Sequence, residues 1–508
     1  MDPSLLNEYF ASIVHDPSQN ECIGSTEADS NTGFQIELPS EREIIHLLQS
    51  TNSKASAGQD GLPGHVIKNF ASSLGHSISQ IFNASITQST FPVEWKKSNI
   101  CAIWKNKGSK SEPSNYRPIS IIPILGRTLE KVVAKQLSNY CDIQKIIPAE
   151  QYGFRKNSSC ESALLSATDK WINQIDSGKL VGALLIDLTK AFDSVPHHQL
   201  LQELATIQCE SNSLEWFQSY LSDRKQRVVQ KGTLTPWKPV TRGVPQGSCL
   251  SPLLFNIFIR DLPISSTSDT WQFADDITQS EEADNVDSLV CKLTNTFQKT
   301  KQFCQAKHLE INASKTQFII FKNPGKKIPE IVELKIDLDV IRAANQVKLL
   351  GVTLDRHLTF KDHIANIVIT GTCNGLLGVL RRTSHLLPRN LCKMFYTAII
   401  RANLEYASNL LLPVAKVHLD KLDVIQRKAA RIICQVPADC HADPLLEELG
   451  LQSLQSRRIQ HLLSTVSSCL ENKCHLDLVH KFIKESTDHN ELTVPTTRTM
   501  MGMLRATA

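Results

Sequence analysis

Thr270-Trp271-Gln272-Phe273-Ala274-Asp275-Asp276-Ile277-Thr278 sets two adjacent carboxylates between two short runs of strand-forming residues. Trp271, Phe273 and Ile277 favour extended backbone, and Ala-Asp-Asp suits the tight turn of a hairpin. Neighbouring side chains of a strand face opposite ways, so two successive acids serve one point only where a turn redirects them. A hairpin tip does that. Like charges held side by side repel, and a divalent cation relieves the repulsion, with Mg2+ preferred by hard carboxylate oxygens. An Asp-Asp pair taken alone is more often a surface turn; a third acid upstream gives this one another meaning.

That acid is Asp187. The apolar run from Val181 to Ile186 reads as a strand buried on both faces, and it ends in this carboxylate. A buried strand delivering one carboxylate and a hairpin delivering two is what a two-metal phosphoryl-transfer site needs. Two Mg2+ ions roughly 4 Å apart then hold the attacking hydroxyl and the leaving oxygen of an in-line displacement.

Composition sets the outer bounds. The 508 residues are 41% hydrophobic and 21% charged, ordinary for a globular protein and enough for about three domains. Fourteen cysteines without paired spacing read as reduced, mostly buried thiols. The first twenty residues carry Asp2, Glu8 and Asp16 in place of a basic, apolar leader, and no apolar run approaches the length of a membrane span. The expectation is an intracellular protein of the nucleus, the cytoplasm or both, neither secreted nor membrane-bound. Residues 1 to 50 hold nine acids against Arg42 alone, a net of −8, which leaves +12 for the rest of a chain whose total is +4. A basic body behind an acidic head fits a polyanionic partner.

Ile186-Asp187-Leu188-Thr189-Lys190-Ala191-Phe192-Asp193-Ser194-Val195, then Gly243-Val244-Pro245-Gln246-Gly247-Ser248, then Phe273-Ala274-Asp275-Asp276 occur in this order. The series resembles motifs A, B and C of a reverse transcriptase, in the form found in non-LTR (LINE-type) retrotransposons and most like the jockey group. The resemblance spans about residues 50 to 460. It implies an α+β right-hand polymerase fold with fingers, an antiparallel-sheet palm and a helical thumb. It implies an RNA-directed DNA polymerase that uses two Mg2+ ions, an RNA template, a DNA primer and deoxynucleotides. Oligomeric state stays open.

Carried over residue by residue, the resemblance makes Asp187, Asp275 and Asp276 the catalytic and metal-binding acids. Phe192 lies under the nucleotide sugar and rejects a 2′-hydroxyl. In Gly243 to Ser248, Gly247 lets backbone approach a ligand and Gln246 offers a neutral amide to sugar or base. The basic loop with Lys105, Lys107 and Lys110 between two extended segments resembles the fingers hairpin; cations that close over a triphosphate neutralise and position it. Lys105 or Lys107 would reach the distal phosphate, and Arg117 would pack on the incoming base. Gln151-Tyr152-Gly153-Phe154-Arg155-Lys156 combines aromatic and basic side chains as template-binding segments do, which points to Arg155. Lys315, in a segment like motif D, is placed to donate a proton to pyrophosphate. Gly351 lies in Val347 to Asp355, similar to motif E at the primer end.

The remaining organisation follows in chain order. Residues 1–40 read as an acidic linker remnant holding one short helix, similar to the link that follows an endonuclease in LINE-type proteins; the endonuclease itself would lie outside this chain. Residues 41–85 read as an N-terminal extension of the polymerase, where Ser40 and Glu43 have the spacing of a capping box. Residues 86–355 are fingers and palm, 356–440 a helical thumb, and 441–508 a helical C-terminal segment. Arg381, Arg382, Lys393, Arg401, Arg427, Lys428 and Arg431 fall beside the apolar stripes of the thumb, as suits a surface lying along a duplex. Cys469, Cys474 and His475 complete no zinc pattern. The alternative reading is a catalytically decayed or domesticated fragment that only binds nucleic acid. An RNA-copying RNA polymerase is disfavoured by Phe192, where such enzymes need room for the 2′-hydroxyl.

Overall fold

The structure, a computed structural model, describes residues 1–15, 33–230, 232–265, 268–336, 339–369, 372–471 and 473–475. The acidic linker 1–40 and the C-terminal segment 441–508 therefore lie partly outside the described residues. The chain forms two compact units, each assembled from separated stretches.

One unit comprises Met1–Pro148, Leu188–Ser265 and Thr300–Ile311. Its sheet runs in the order Tyr116–Ile121, Lys97–Trp104, Arg224–Gln230, Thr233–Leu234, with Lys238–Val240 also paired to Arg224–Gln230. The first two strands are antiparallel, and Ile103 stands opposite Arg117. A helix at Pro3–Ile13 begins on Asp2, whose side chain accepts from the Ser4 amide at 2.9 Å, with proline in its first turn where a missing N–H costs nothing. Leu6, Phe10 and Ile13 recur at helical spacing and bury against Ile100 and Val228 of the sheet. Each such side chain contributes about 1.5–3 kcal/mol by leaving water. A second cluster sets Phe91 edge-on to Trp95, Trp216 and Tyr220, while Trp216 and Tyr220 stack at 5.7 Å. Half of the expected capping box is present. Ser40 caps the Glu43 amide at 3.2 Å, but the Glu43 carboxylate pairs with Lys135 at 2.7 Å.

The other unit comprises Ala149–Asp187, Ser266–Lys299 and Asn312–Ala508. Its six-stranded sheet runs Glu333–Ile336, Asp339–Ala344, Gln317–Phe321, Leu180–Ile186, Asp276–Ala283, Asp269–Phe273. Leu180–Ile186 is antiparallel to both neighbours and buried on both faces, as its unbroken apolar run requires. On one face Gly182 lets Leu289 and Leu293 of the long helix Val286–Ala306 come against the backbone. On the other, Trp171 of the helix Cys160–Asp176 stacks on Phe321 at 4.8 Å, and its indole N–H donates to Ser280 at 3.0 Å. A separate hairpin, Gln346–Leu349 with Val352–Asp355, turns through Leu350 and Gly351, both at positive φ.

The stretch expected to form a thumb, residues 356–440, is helical over Lys361–Ile369, Thr372–Thr383, Arg389–Phe395 and Lys416–Cys434, and the helices Asp443–Glu448 and Leu454–Leu470 follow. Leu410 and Leu411 are fully buried in the core of this unit. Lys361–Thr383 holds the one stretch among the described residues long and apolar enough to cross a membrane by length and composition. Its Ile364 and Leu380 are fully buried in the same core, which accounts for its apolar character.

Candidate active site

The site is built on strand register. Leu180–Ile186 pairs antiparallel with Asp276–Ala283 so that Ile186 faces Ile277. One step further along both strands come Asp187 and Asp276. Directly opposed residues of an antiparallel pair point to one face with Cβ atoms about 5 Å apart, so this register sets two carboxylates side by side. The hairpin supplies the third. Phe273 pairs with Asp276, leaving Ala274 and Asp275 as a two-residue loop, and Ala274 takes φ +57°. Glycine is the usual residue at such a position, since a Cβ there costs roughly 1–2 kcal/mol.

Electrostatics report the crowding. The Asp276 carboxyl is pushed up to about 6, first by burial and then by the charges of Asp275 and Asp187. Asp187 has one cation against it, the Lys315 ammonium at 3.2 Å. Lys315 is carried on the turn that starts at Asn312, whose amide donates to the Asp187 carbonyl at 2.8 Å. Among the described residues no three His, Cys, Asp or Glu side chains already surround one point as the ligands of an ion. The donor set nevertheless fits a hard divalent cation: three oxygen ligands, with charge that a cation would relieve. Lys315 meets only Oδ2 of Asp187, so an ion shared with Asp275 and Asp276 would compete with Lys315 at that oxygen or take the other one.

The residues expected at the nucleotide lie in the other unit. Phe192 is half-buried and stacks on Phe255 with ring centres 4.5 Å apart. Gly243 and Gly247 both have positive φ, and the Val244 amide donates to the Phe192 carbonyl at 2.8 Å, which ties the two motif segments together. The Gln246 amide is engaged, donating to Asp193 at 2.8 Å. Asp193 is itself buried and pushed up to about 6 by that burial, against the opposing pull of Gln246, Lys190 and Lys105. The Lys105 ammonium reaches the Ser114 carbonyl at 2.8 Å, while Lys107 and Arg117 are exposed.

Arg155 is half-buried in the loop after Gln151, and its carbonyl accepts from the Ser158 amide. Gly351 has φ +87°, and Tyr406 donates to the neighbouring Leu350 carbonyl at 2.6 Å. Sequence reasoning overlooked two buried polar residues, Gln151 and Glu130, and took Asp193 only as an acid that is not a metal ligand. Gln151 and Asp193 sit inside quoted motifs but look like ordinary polar positions there. Glu130, fully buried, accepts from the Tyr220 hydroxyl and the Cys249 amide, both at 3.0 Å, and lies in no motif. Its only sequence signal is an acid on the apolar stripe of the helix Ile124–Ile143.

Residues 103–354 match the family model described as reverse transcriptase (RNA-dependent DNA polymerase). The chain carries a reverse transcriptase domain, with the α+β right-hand fold expected of one. It is 27% identical over 453 residues to the RNA-directed DNA polymerase from mobile element jockey of Drosophila melanogaster, an alignment covering 84% of this chain and 49% of the relative. It is 26% identical over 446 residues to the probable RNA-directed DNA polymerase from transposon BS of the same fly, covering 85% and 49%. The jockey polymerase of Drosophila funebris is also 26% identical over 446 residues, at 85% and 48%. The domain is of the non-LTR, LINE-type, jockey-like retrotransposon kind. The chain spans about half the length of these relatives.

Proposed function

We propose that this chain is an RNA-directed DNA polymerase, which extends a primer 3′-hydroxyl with deoxynucleotides along an RNA template. The observation that carries the reading is the register that sets Asp187 beside Asp276 at the tip of a two-residue hairpin, where burial first, and then the charges of Asp275 and Asp187, raise the Asp276 pKa. Asp187 and Asp275 would hold two Mg2+ ions, with Asp276 supporting them. When bound, the ions lower the pKa of the attacking hydroxyl and neutralise charge on the phosphates. Lys315, already against Asp187, is positioned to protonate the departing pyrophosphate once Asp187 turns to the ion.

The other roles follow the chemistry of each side chain. Phe192, braced by Phe255, excludes a 2′-hydroxyl. Gln246 and Gly247 meet the sugar and base, with Lys105, Lys107 and Arg117 on the triphosphate. Arg155 serves the template and Gly351 the primer end. Exposed Arg381, Arg382, Arg427 and Lys428 suit the backbone of a duplex, in keeping with a thumb over 356–440 and fingers and palm over 86–355.

The test is primer extension on poly(rA) with oligo(dT), dTTP and Mg2+, with Asp275→Ala beside the parent. Extension by the parent alone is expected. Tight binding of primer–template with extension by neither would overturn the polymerase reading and leave a nucleic-acid-binding protein.

A further inference from the structure

We infer that Gln151 is a positioning residue for the acid hairpin, and that Gln151 to Gly153 forms a brace under its turn. This rests on the polymerase reading and deepens it. Residues 150–152 lie alongside the strand Asp269–Phe273: the Gln272 amide donates to the Glu150 carbonyl and the Tyr152 amide to the Gln272 carbonyl, each at 2.8 Å. The Gln151 side chain is buried and turns toward the hairpin tip. Its Oε1 accepts from the Ala274 amide at 3.0 Å and from the Gly153 amide at 2.8 Å, while its Nε2 faces the Gln272 side-chain oxygen at 3.4 Å.

Ala274 is the residue that needs holding. It is the non-glycine residue at φ +57° immediately before Asp275, and it is almost fully buried. A conformation of this kind persists only where its surroundings over-determine it. An amide buried without an acceptor is costly, so the hydrogen bond from Ala274 to Gln151 ties the unusual backbone angle to one side chain. Gly153 completes the fit. A Cβ at Gly153 would collide with the Ala274 nitrogen and stand 2.9 Å from the Phe273 carbonyl carbon, so only glycine allows the brace to lie this close. Gln151 touches no reacting atom; it acts by fixing where Asp275 and Asp276 present their carboxylates.

The experiment compares the parent with Gln151→Met, Gln151→Glu, Gly153→Ala and Asp275→Ala in the 508-residue chain. Steady-state extension on poly(rA)/oligo(dT) is measured against dTTP and against Mg2+, together with thermal melting and primer–template binding. Gln151→Met keeps the length and loses the acceptor. We expect kcat to fall at least tenfold and the Mg2+ concentration for half-maximal rate to rise several-fold, with KM for dTTP and primer–template binding within twofold of the parent. Gln151→Glu keeps an acceptor oxygen and should recover much of kcat. Gly153→Ala should reproduce the Gln151→Met pattern. A Gln151→Met enzyme with the parent's kcat and Mg2+ dependence overturns the inference. So does a loss accompanied by weakened primer–template binding and lowered melting in both variants, since that is general destabilisation. If the parent itself fails to extend, the polymerase reading falls first.

Discussion

Both units gather acidic side chains, and the neighbours of those acids differ in kind. In the unit holding the fingers-like sheet, Glu130 accepts from Tyr220 and from the Cys249 amide, and Asp193 accepts from Gln246. Each acid there faces donors. In the unit holding the six-stranded sheet, Asp276 faces two more acids, one of them Asp187, which Lys315 meets at one oxygen. An acid surrounded by donors is part of the scaffold, whereas acids turned on one another store repulsion that a cation from outside relieves. The same residue type therefore does two jobs, and the sign of its surroundings tells them apart.

The sharpest way to break that contrast is to remove one acid from each unit. Asp275→Ala should lower primer extension by roughly 10³-fold or more, a loss of about 4 kcal/mol in transition-state stabilisation. Its melting temperature should not fall, because the change removes repulsion. Glu130→Ala should do the reverse. It leaves the Cys249 amide without its acceptor and the Tyr220 hydroxyl with Ser248 alone, and a buried group left without a partner costs about 1–3 kcal/mol, to which the space vacated by the side chain adds. A shift of denaturant midpoint worth about 3 kcal/mol is expected, with Mg2+ dependence unchanged in whatever folded protein remains. If Asp275→Ala destabilised the chain as much as Glu130→Ala, the distinction between the two acid environments would be lost.

The unequal legibility of the two regions has the same origin. The acid hairpin could be read from nine residues because each of its constraints is local: strand formers, a turn, and charges adjacent in sequence. The register that brings Asp187 opposite Asp276 is non-local, yet an apolar run ending in an acid announced it. By contrast, the brace at Gln151, the Gln246–Asp193 pair and the Glu130 network depend on partners from 53 to 123 residues away. No spacing rule links such positions. Some elements were hidden for another reason. The helix Ala71–Thr87 is rich in Ser, Asn and Thr, whose weak helix propensity is overridden by burial of Ile78, Phe82 and Ile86. The strands Glu333–Ile336 and Asp339–Ala344 interleave charge with short apolar pairs, and their extended form comes from pairing at the sheet edge.

Phe192 tests the contrast from the packing side. Its ring stacks on Phe255, so the wall against the 2′-hydroxyl proposed for it would depend on bulk alone. Phe192→Val should lower discrimination between dTTP and UTP by roughly 10–100-fold, read from the ratio of kcat/KM values, with the Mg2+ requirement unchanged. An unchanged ratio would make Phe192 a core residue and nothing more.

The smallest expected effect separates the two regions most cleanly. Asp193 and Asp276 are both pushed up to about 6, the first by burial among donors, the second by burial beside Asp275 and Asp187. An acid whose folded pKa lies above its unfolded value binds its proton more tightly when folded. It therefore favours folding at pH 4 and loses that contribution as pH rises through about 6. Melting of Asp193→Asn and of Asp276→Asn, each minus the parent, should accordingly rise by a few degrees between pH 4 and pH 7 in metal-free buffer. Mg2+ then divides them. It favours the ionised Asp276 carboxylate, so adding it should cancel or reverse the Asp276→Asn advantage at pH 7 while the Asp193→Asn difference stays as it was. A Mg2+ response at Asp193 equal to that at Asp276 would mean that the ion acts on the whole protein's charge, and the cation would no longer single out the hairpin.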